Sequence, residues 1–359
     1  MSNSVEEFVH RFVAETAGRA WELDRRVDER SGLDAAGMIE ALNHPALGRL
    51  GIPVMADFMA PEGSLYFDAI FGGFRGQAAI RAWLLPAMAE IEFVDFVPTA
   101  EPVLFDDGDG GTSLDEWEMV ANLGDVRIPL SRGVSVRRYR DGWITWACDV
   151  YDTGVMRQPP PPEAGIDAAP LPPWPRESWP LFEGWTAAPP SAAARDWLDA
   201  RGARNETAVT EPCGLDHHEM HAVLDASAGR RGGVLADLAH PTRAVHIDPL
   251  VGELHGRAAI RTWLAEREAK GGEVTYAPLG PSLFDGTTSV QEWLQLAGVP
   301  GGPPVPTLRG TTVRRYEDGW LVSNADYFDT APLSDTDIQA ALSAAGAMLT
   351  PEDIARHRP

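Results

Sequence analysis

Hydrophobic and polar positions follow the same order twice along the chain. Each half opens with helix-like spacing, continues with a short alternating run that ends near an aspartate, and returns to helix-like spacing after a glycine. The rest of each half alternates as β-strands do, and an Asp-Gly pair between its last two runs predicts a hairpin. Helices followed by an antiparallel meander predict an α+β fold rather than a parallel dinucleotide-binding sheet. The matching runs are 4–23 and 191–202, 64–69 and 244–249, 76–84 and 256–264, and 132–153 and 309–330.

Direct alignment indicates that the two halves are copies of each other. Val54–Leu84 aligns without a gap to Val234–Leu264, with thirteen identities in thirty-one positions. Arg132–Thr153 aligns to Arg309–Thr330, with twelve identities in twenty-two positions. Each copy is far longer than the unit of a solenoid, so the sequence predicts a tandem duplication of a whole domain.

A proline-rich stretch between the copies sets the predicted domain boundaries. We predict a first domain at 1–156, a linker at 157–185, a second domain at 186–332 and a helical tail at 333–359. The four consecutive prolines Pro159–Pro162 favour extended backbone. Large apolar side chains in the linker predict that it lies along a domain surface; they are Trp174, Trp179, Phe182 and Trp185.

Charge narrows the range of partners. The 359 residues include 53 acidic and 30 basic ones, which gives a net charge of −23. A field of this sign repels nucleic acid and anionic membranes, so we expect a small-molecule substrate and neither of those partners. The single lysine, Lys270, lies in a polar run, which argues against a lysine Schiff-base enzyme.

Cysteine usage and hydropathy predict a cytoplasmic protein. Cys148 and Cys213 lie in different halves and have no CxxC spacing, which excludes a disulfide framework and a cysteine-rich zinc site. The first twelve residues carry acidic side chains where a signal peptide needs basic ones. No run approaches the ~18 apolar residues of a membrane span.

The order of motifs in each copy resembles a known superfamily. A strand ending in Asp is followed by a Gly-x-x-Ala-Ile-Arg helix, a strand with Glu-Trp, an Asp-Gly turn, and a closing strand that ends in Asp-Val-Tyr-Asp or Asp-Tyr-Phe-Asp. This order resembles the nuclear transport factor two-like superfamily, which includes SnoaL-like polyketide cyclases, ketosteroid isomerase, scytalone dehydratase and limonene epoxide hydrolase. The resemblance implies two cone-shaped domains, each a curved antiparallel sheet packed on helices around an apolar pocket. It implies no nucleotide cofactor.

Two pairs of aspartates match positions that carry chemistry in that superfamily. Asp248, followed by Pro-Leu-Val-Gly, resembles the context of the proton-shuttling aspartate of ketosteroid isomerase, and Asp68 is its counterpart in the first copy. Asp149 and Asp326 stand where limonene epoxide hydrolase has an acid in its closing strand.

Other matched positions depart from the family patterns. The hydrolase has an Arg and an Asp two positions apart on a central strand, where the first copy has Glu116 and Glu118 and the second has Glu292 and Leu294. The bridging Arg is therefore missing from both copies, which argues against epoxide hydrolysis. Near the oxyanion pair of the isomerase the copies have Phe12 and either Ser135 or Thr312. Neither mechanism transfers whole.

Strand alternation places further residues beside the aspartates. Tyr66 shares a face with Asp68, and His246 shares a face with Asp248. Glu116 and Glu118 also share a face, and both point into the pocket if Trp117 packs against the outer layer. The alternative is that these glutamates face solvent. The candidate catalytic residues are Tyr66, Asp68, Glu116, Glu118 and Asp149 in the first copy, and His246, Asp248, Glu292 and Asp326 in the second.

Carboxylates crowded in an apolar pocket cannot all ionise, so one becomes an acid while another remains a base. We therefore predict a cofactor-independent acid–base enzyme: an isomerase, cyclase, dehydratase or retro-aldol-type lyase acting on a small apolar carbonyl or hydroxyl compound. The candidates are a polyketide, a steroid-like compound, a terpenoid or an aromatic metabolite. Asp68 or Asp248 would be the base and Asp149 or Asp326 the partner acid. The alternatives are epoxide-hydrolase-type water addition and non-catalytic binding of a small molecule.

The sequence predicts no metal site and no cofactor. His217 and His221 are one helical turn apart, but a metal site needs a third ligand and the sequence identifies none. The alternative interpretation is that both histidines belong to the polar, solvated start of a helix. No glycine-rich loop has the spacing of a phosphate cradle.

The duplication also predicts the assembly. Superfamily members commonly pair through sheet faces, and two tethered copies are at high effective concentration. We predict a monomer in which the sheets of residues 112–153 and 288–330 form an intramolecular pseudo-dimer, with Trp117 and Trp293 near the seam.

Overall fold

The chain divides into two compact units: of the described residues, those up to Tyr151 belong to the first unit and those from Asp152 onward to the second. The computed structural model describes residues 3–48, 50, 54–90, 94–106, 108, 110–123, 126–154, 191–202, 211–227, 232–270, 272–347, 350, 352 and 356. The predicted linker at 157–185, including its tryptophans, lies outside these residues. Among them, no helix is both long and apolar enough to cross a lipid bilayer.

The first unit packs helices on a seven-stranded sheet. Its helices are α1 (Asn3–Thr16), α2 (Ala35–Leu42), α3 (Pro45–Gly48), α4 (Met55–Phe58) and α5 (Gln77–Glu90). Its strands are β1 (Leu65–Asp68), β2 (Gly72–Arg75), β3 (Val94–Pro98), β4 (Val103–Phe105), β5 (Gly110–Leu123), β6 (Val126–Arg140) and β7 (Trp143–Tyr151). The strand order is β2-β1-β7-β6-β5-β3, with β4 paired to β5.

The second unit repeats this architecture. Its helices are α6 (Ala192–Gly202), α7 (His217–Ser227), α8 (Gly232–Leu238), α9 (Gly256–Lys270) and α10 (Thr336–Ala344), with a 3-10 turn at Ala331–Ser334. Its strands are β8 (Val245–Asp248), β9 (Gly252–His255), β10 (Val274–Pro278), β11 (Leu283–Phe284), β12 (Thr288–Ala297), β13 (Val305–Glu317) and β14 (Trp320–Phe328). The order β10-β12-β13-β14-β8-β9, with β11 on β12, is that of the first sheet. The α+β class and the duplicated architecture are confirmed.

One strand pair in each sheet runs in the other direction from the meander. β1 is parallel to β7, and β8 is parallel to β14, whereas the other pairs are antiparallel. The sheets are therefore mixed. This parallel pair matters for function, because it sets the aspartate that ends β1 beside the closing strand β7.

The predicted Asp-Gly turns are present, and an aspartate caps α2. Asp141 and Gly142 have φ of 51° and 75°, and Asp318 and Gly319 have 51° and 74°, so all four residues take the left-handed conformation that a two-residue hairpin requires. The Asp34 carboxylate accepts a hydrogen bond from Gly37 N (2.7 Å) and caps α2.

The repeated Gly-x-x-Ala-Ile-Arg motif stabilises the fold. Arg81 of α5 is fully buried and forms an ion pair with Asp57 of α4, which also pairs with Arg25 at 2.9 Å. Arg261 of α9 forms the equivalent pair with Asp237 of α8. The motif therefore ties each long helix to the preceding short helix.

Candidate functional site

A cluster of oxygen-bearing side chains lies where β1 meets β7 in the first unit. The register pairs Asp68 with Asp149 and Tyr66 with Ala147, so these side chains share one face of the sheet. The Tyr66 hydroxyl donates a hydrogen bond to Asp149 Oδ2, and the Ser135 hydroxyl donates to Asp149 Oδ1 at 2.6 Å. With Tyr151, these residues form what we call the first cluster.

Among the described residues, the hydrogen-bond partners of Asp68 include no cation. Its Oδ1 accepts from the backbone amides of Ile70 (2.8 Å) and Phe71 (3.0 Å), and its Oδ2 accepts from the Tyr151 hydroxyl at 3.1 Å. Burial and the nearby charge of Asp149 raise the pKa of Asp68 to about 7, although these hydrogen bonds lower it. Asp68 can therefore exchange a proton near neutral pH.

The two tyrosines of the first cluster act as fixed donors. Burial, and then the charges of the two aspartates, raise the pKa of Tyr66 and of Tyr151 well above the ordinary value. Both phenols therefore stay protonated and donate to the carboxylates.

A tryptophan extends the first cluster into the sheet. Trp117 Nε1 donates to Ser135 Oγ (2.9 Å), and Ser135 in turn donates to Asp149. Gly133 makes room for the indole, because a Cβ atom at that position would lie 2.3 Å from the Trp117 ring. The glycine of the repeated Arg-Gly pair at the head of each aligned segment is thus required by this contact, since a Cβ atom at Gly310 would also lie 2.3 Å from Trp293.

The glutamates on β5 lie on the other face of the sheet. Asp115 pairs with Ser135, and Ser135 pairs with Asp149, so Asp115 and Trp117 share the face of the first cluster while Glu116 and Glu118 do not. The expectation that both glutamates join the aspartates is therefore wrong.

The reason is the direction of Trp117. Its indole points toward the first cluster rather than the outer layer, and Trp293 makes the same contact in the second unit. The seam prediction assumed that both tryptophans lie on the face opposite the aspartates. They lie on the same face as the aspartates. Glu118 is one-third exposed and lies 3.8 Å from Arg132.

The second unit places His246, Asp248 and Asp326 at the equivalent strand junction. Trp293 Nε1 donates to Thr312 Oγ1 (2.9 Å), which donates to Asp326 Oδ1 (2.7 Å), as in the first unit. Together with Asn324, which contacts His246, these residues form what we call the second cluster. The tryptophan–hydroxyl–aspartate arrangement is common to both units.

The partner of the strand-end aspartate differs between the clusters. Asp248 Oδ1 accepts from Leu250 N (2.8 Å), but its Oδ2 accepts from Arg267 Nη1 at 3.0 Å. Phe328 replaces Tyr151, and Arg267 replaces Ala87 in the alignment. Burial lowers the pKa of Arg267, but Tyr276, Asp248 and Asp326 raise it more, and the net direction is upward.

Glu292 does not join the second cluster. It lies on the opposite face of β12 and forms a buried ion pair with Arg309 of β13 at 3.1 Å. The expectation that it contributes to the same site is wrong for the same reason as for Glu116.

One set of potential metal ligands lies in the second cluster. Ligand atoms of His246, Asp248 and Asp326 lie within 4.8 Å of one another. His246 Nδ1 contacts the Asn324 amide nitrogen at 3.0 Å. A histidine that binds a metal through one nitrogen must donate through the other, and an amide N–H cannot accept that proton. Arg267 already neutralises Asp248, so the set does not fit a metal ion.

The histidine pair on α7 is engaged in structural contacts. His217 Nδ1 contacts Gly286 O at 3.0 Å, and its Nε2 accepts from Gly319 N at 3.3 Å. His221 stacks on Phe284 and lies 3.4 Å from Asp225. These contacts involve both ring nitrogens of His217 and the Nε2 of His221.

Several residues of the clusters were not expected from the sequence. Ser135 and Thr312 stand at matched positions and keep a hydroxyl, and Trp117 and Trp293 are retained, so the repeat itself carried a signal for them. Tyr151, Arg267 and Asn324 differ between copies and had no such signal.

Comparison with known proteins gives similarity to solved structures. The chain is similar to a hypothetical protein of ketosteroid isomerase-like fold from Catenulispora acidiphila, solved with trimethylamine (20% identity, 38% of this chain and 100% of that one, TM-score 0.29). It is similar to a SnoaL-like family protein from Agrobacterium tumefaciens (21% identity, 40% of this chain and 97% of that one, TM-score 0.23). It is also similar to a nuclear transport factor two-like protein of unknown function from Cytophaga hutchinsonii (12% identity, 36% of this chain and 98% of that one, TM-score 0.25). No protein-family model and no curated protein matches the chain.

Proposed function

We propose that the chain is an acid–base enzyme that moves a proton on a small apolar carbonyl compound, with Asp68 as the base. The observation that carries this proposal is the buried pair of Asp68 and Asp149, in which the pKa of Asp68 is raised to about 7 by burial and then by Asp149. A general base works best when its pKa lies near the operating pH.

The surroundings of Asp68 support this role. Two backbone amides and the Tyr151 hydroxyl hold the carboxylate in place, and none of these donors neutralises its charge. Asp149, held by Tyr66 and Ser135, adds a second carboxyl group within the same cluster. Isomerisation, cyclisation, dehydration and retro-aldol-type cleavage all begin or end with such a transfer and need no redox cofactor.

The test is isomerisation of cyclohex-3-en-1-one, followed by the absorbance of the conjugated product. The base removes a proton from the carbon between the carbonyl and the alkene, and the proton returns at the far end of the alkene. We expect turnover that rises with pH through about 7, because the ionised Asp68 is the active form.

Asp68→Asn should reduce the rate by roughly 10²- to 10⁴-fold, which is the usual contribution of a positioned base. Glu118→Gln is the matched control, since it removes a carboxylate from the other face of the same sheet. Solvent deuterium exchange on a panel of aryl and cyclic ketones extends the test to other substrates. Full exchange activity in Asp68→Asn, or none in the wild type with any ketone, would contradict the proposal.

A further inference from the structure

One ring nitrogen of the second cluster has no hydrogen-bond partner in the described part of the chain. His246 is fully buried, and no described residue offers a hydrogen bond to its Nε2. Leaving a buried polar atom unpaired costs about 1–3 kcal/mol, so native structures rarely retain one without a reason. The nitrogen marks a place where a ligand would complete the site.

A chain of hydrogen bonds places the proton on this nitrogen. Arg314 Nε donates to Asn324 Oδ1 at 3.2 Å, which fixes the orientation of the amide. Asn324 Nδ2 is then the donor to His246 Nδ1 (3.0 Å) and to Asp326 Oδ1 (3.4 Å). Because Nδ1 accepts, the neutral ring carries its hydrogen on Nε2. Asn324 and Arg314 act as positioning residues for His246.

The second cluster also contains a carboxylate oxygen that can accept a hydrogen bond. Asp326 Oδ1 is occupied by Thr312 and Asn324, whereas no described residue donates to its Oδ2. One ring nitrogen of His246 and one carboxylate oxygen of Asp326 lie within 4.8 Å of each other, so the two side chains belong to one site. In the first unit the Tyr66 hydroxyl satisfies the corresponding Oδ2 of Asp149, so an equivalent donor–acceptor pair is closed there.

We propose that the second cluster binds a hydroxycarbonyl compound, with His246 Nε2–H donating to the carbonyl oxygen and Asp326 accepting from the hydroxyl. The two groups of such a ligand match one buried donor and one acceptor of the same cluster. Arg267 balances the charge of Asp248, which leaves the Asp326 carboxylate for the ligand. This site is independent of the reaction proposed for the first unit.

The first test reads the position of the proton directly. The full chain is labelled with ¹⁵N-histidine, and two-bond ¹H–¹⁵N spectra distinguish protonated from unprotonated ring nitrogens; the His246 signals are those lost in His246→Gln. We expect Nε2 protonated and Nδ1 bare. Asn324→Asp should reverse this, because a carboxylate accepts from Nδ1–H. A proton on Nδ1 in the wild type would overturn the proposal, as would calorimetric binding of Zn²⁺ that is lost in His246→Gln.

The second test measures binding of 2-hydroxy-1-phenylethanone in the same labelled protein. We expect it to shift the His246 Nε2–H signal and to bind roughly tenfold more weakly in His246→Gln and in Asn324→Asp, as loss of one hydrogen bond predicts. His255→Gln, at an exposed histidine of β9, is the matched control and should leave binding unchanged. Acetophenone, which lacks the hydroxyl, should also bind more weakly. No shift of the His246 signal with the hydroxyketone would overturn the proposed ligand class.

Discussion

Asp68 and Asp248 end equivalent strands in two copies of one fold, and their surroundings differ mainly at one oxygen. In both, Oδ1 accepts from the backbone amide two residues ahead, at 2.8 Å. Oδ2 accepts from the Tyr151 hydroxyl in the first unit and from the Arg267 guanidinium in the second. A neutral donor leaves a buried carboxylate able to take a proton near pH 7, whereas a guanidinium balances its charge and stays charged itself.

The residue two positions before each of these aspartates, Tyr66 or His246, also differs in its hydrogen bonds between the units. The Tyr66 hydroxyl donates to Asp149 in the first cluster. In the second, His246 Nδ1 contacts Asn324, and its Nε2 has no hydrogen-bond partner among the described residues. The shared tryptophan–hydroxyl–aspartate contact shows that the scaffold is retained while its chemistry differs. The comparison teaches that a few side chains from a helix and two strands are enough to give equivalent aspartates in the two copies different hydrogen-bond partners.

The largest expected difference between the units is in the stability of the paired helices. Arg81→Met should destabilise the first unit by roughly 3–5 kcal/mol, because it leaves Asp57 as a buried charge held by one remaining cation. Arg261→Met should cost less, about 1 kcal/mol, since Arg261 is one-quarter exposed. Amide hydrogen exchange in β6 and β13 reports the free energy of opening of each unit separately. Equal losses would show that burial of the arginine is not what distinguishes the units.

Much of this fold could be predicted from the sequence, because the signals are local or repeated. The Asp-Gly hairpins and the strand that ends at Asp68 follow from short patterns that occur once in each copy. The prediction that Asp68 and Asp149 lie in one site came from the resemblance of their sequence contexts to those of the superfamily.

The remaining parts of the site depend on tertiary placement. Alternation showed that Glu116 and Glu118 share a face, but it could not show which face packs on the helices, and the direction of Trp117 decides that. Arg267 reaches Asp248 from a helix nineteen residues later in the chain. Such a contact leaves no local pattern.

The next effect concerns how stability depends on pH. The folded state holds a proton on Asp68 between about pH 4 and 7, where the unfolded chain does not, so stability from this group falls as pH rises through that window. Asp68→Asn should therefore stabilise the first unit by about 2–4 kcal/mol at pH 8 and by little near pH 4. Hydrogen exchange of the β1 and β7 amides at the two pH values measures this difference.

The second unit supplies the control for this experiment. Burial also raises the pKa of Asp329 to about 6, so its contribution to stability has the same sign but should be unchanged by Asp68→Asn. A gain that is independent of pH would show that Asp68 is not protonated in the folded state.

A smaller effect should follow from copying the arginine of the second unit into the first. Ala87 aligns with Arg267 and is half-buried on α5. Ala87→Arg should place a cation near Asp68 and lower the pKa of that carboxyl by about one pH unit or more. The pH–rate profile should move to lower pH by the same amount, and Ala87→Gln is the neutral control. An unmoved profile would show that a guanidinium placed at position 87 does not change the pKa of Asp68.

The smallest expected effect comes from the tyrosine. The Tyr151 hydroxyl donates to Asp68 Oδ2 and thereby lowers the pKa of Asp68, against the larger effects of burial and Asp149. Tyr151→Phe, which copies Phe328, should raise that pKa by roughly half a pH unit, the equivalent of a weak net hydrogen bond. The pH–rate profile should shift upward, and a downward shift would contradict the assigned donor.

The protonation of Asp68 itself is the most direct measurement. In protein labelled with ¹³C at aspartate carboxyl groups, the Asp68 signal is identified by its loss in Asp68→Asn and followed from pH 4 to 9. We predict that this carboxyl is half-protonated at about pH 7, because burial and the charge of Asp149 raise its pKa. An Asp68 carboxyl fully ionised at pH 5 would contradict the assignment of the first cluster as the proton-transfer site.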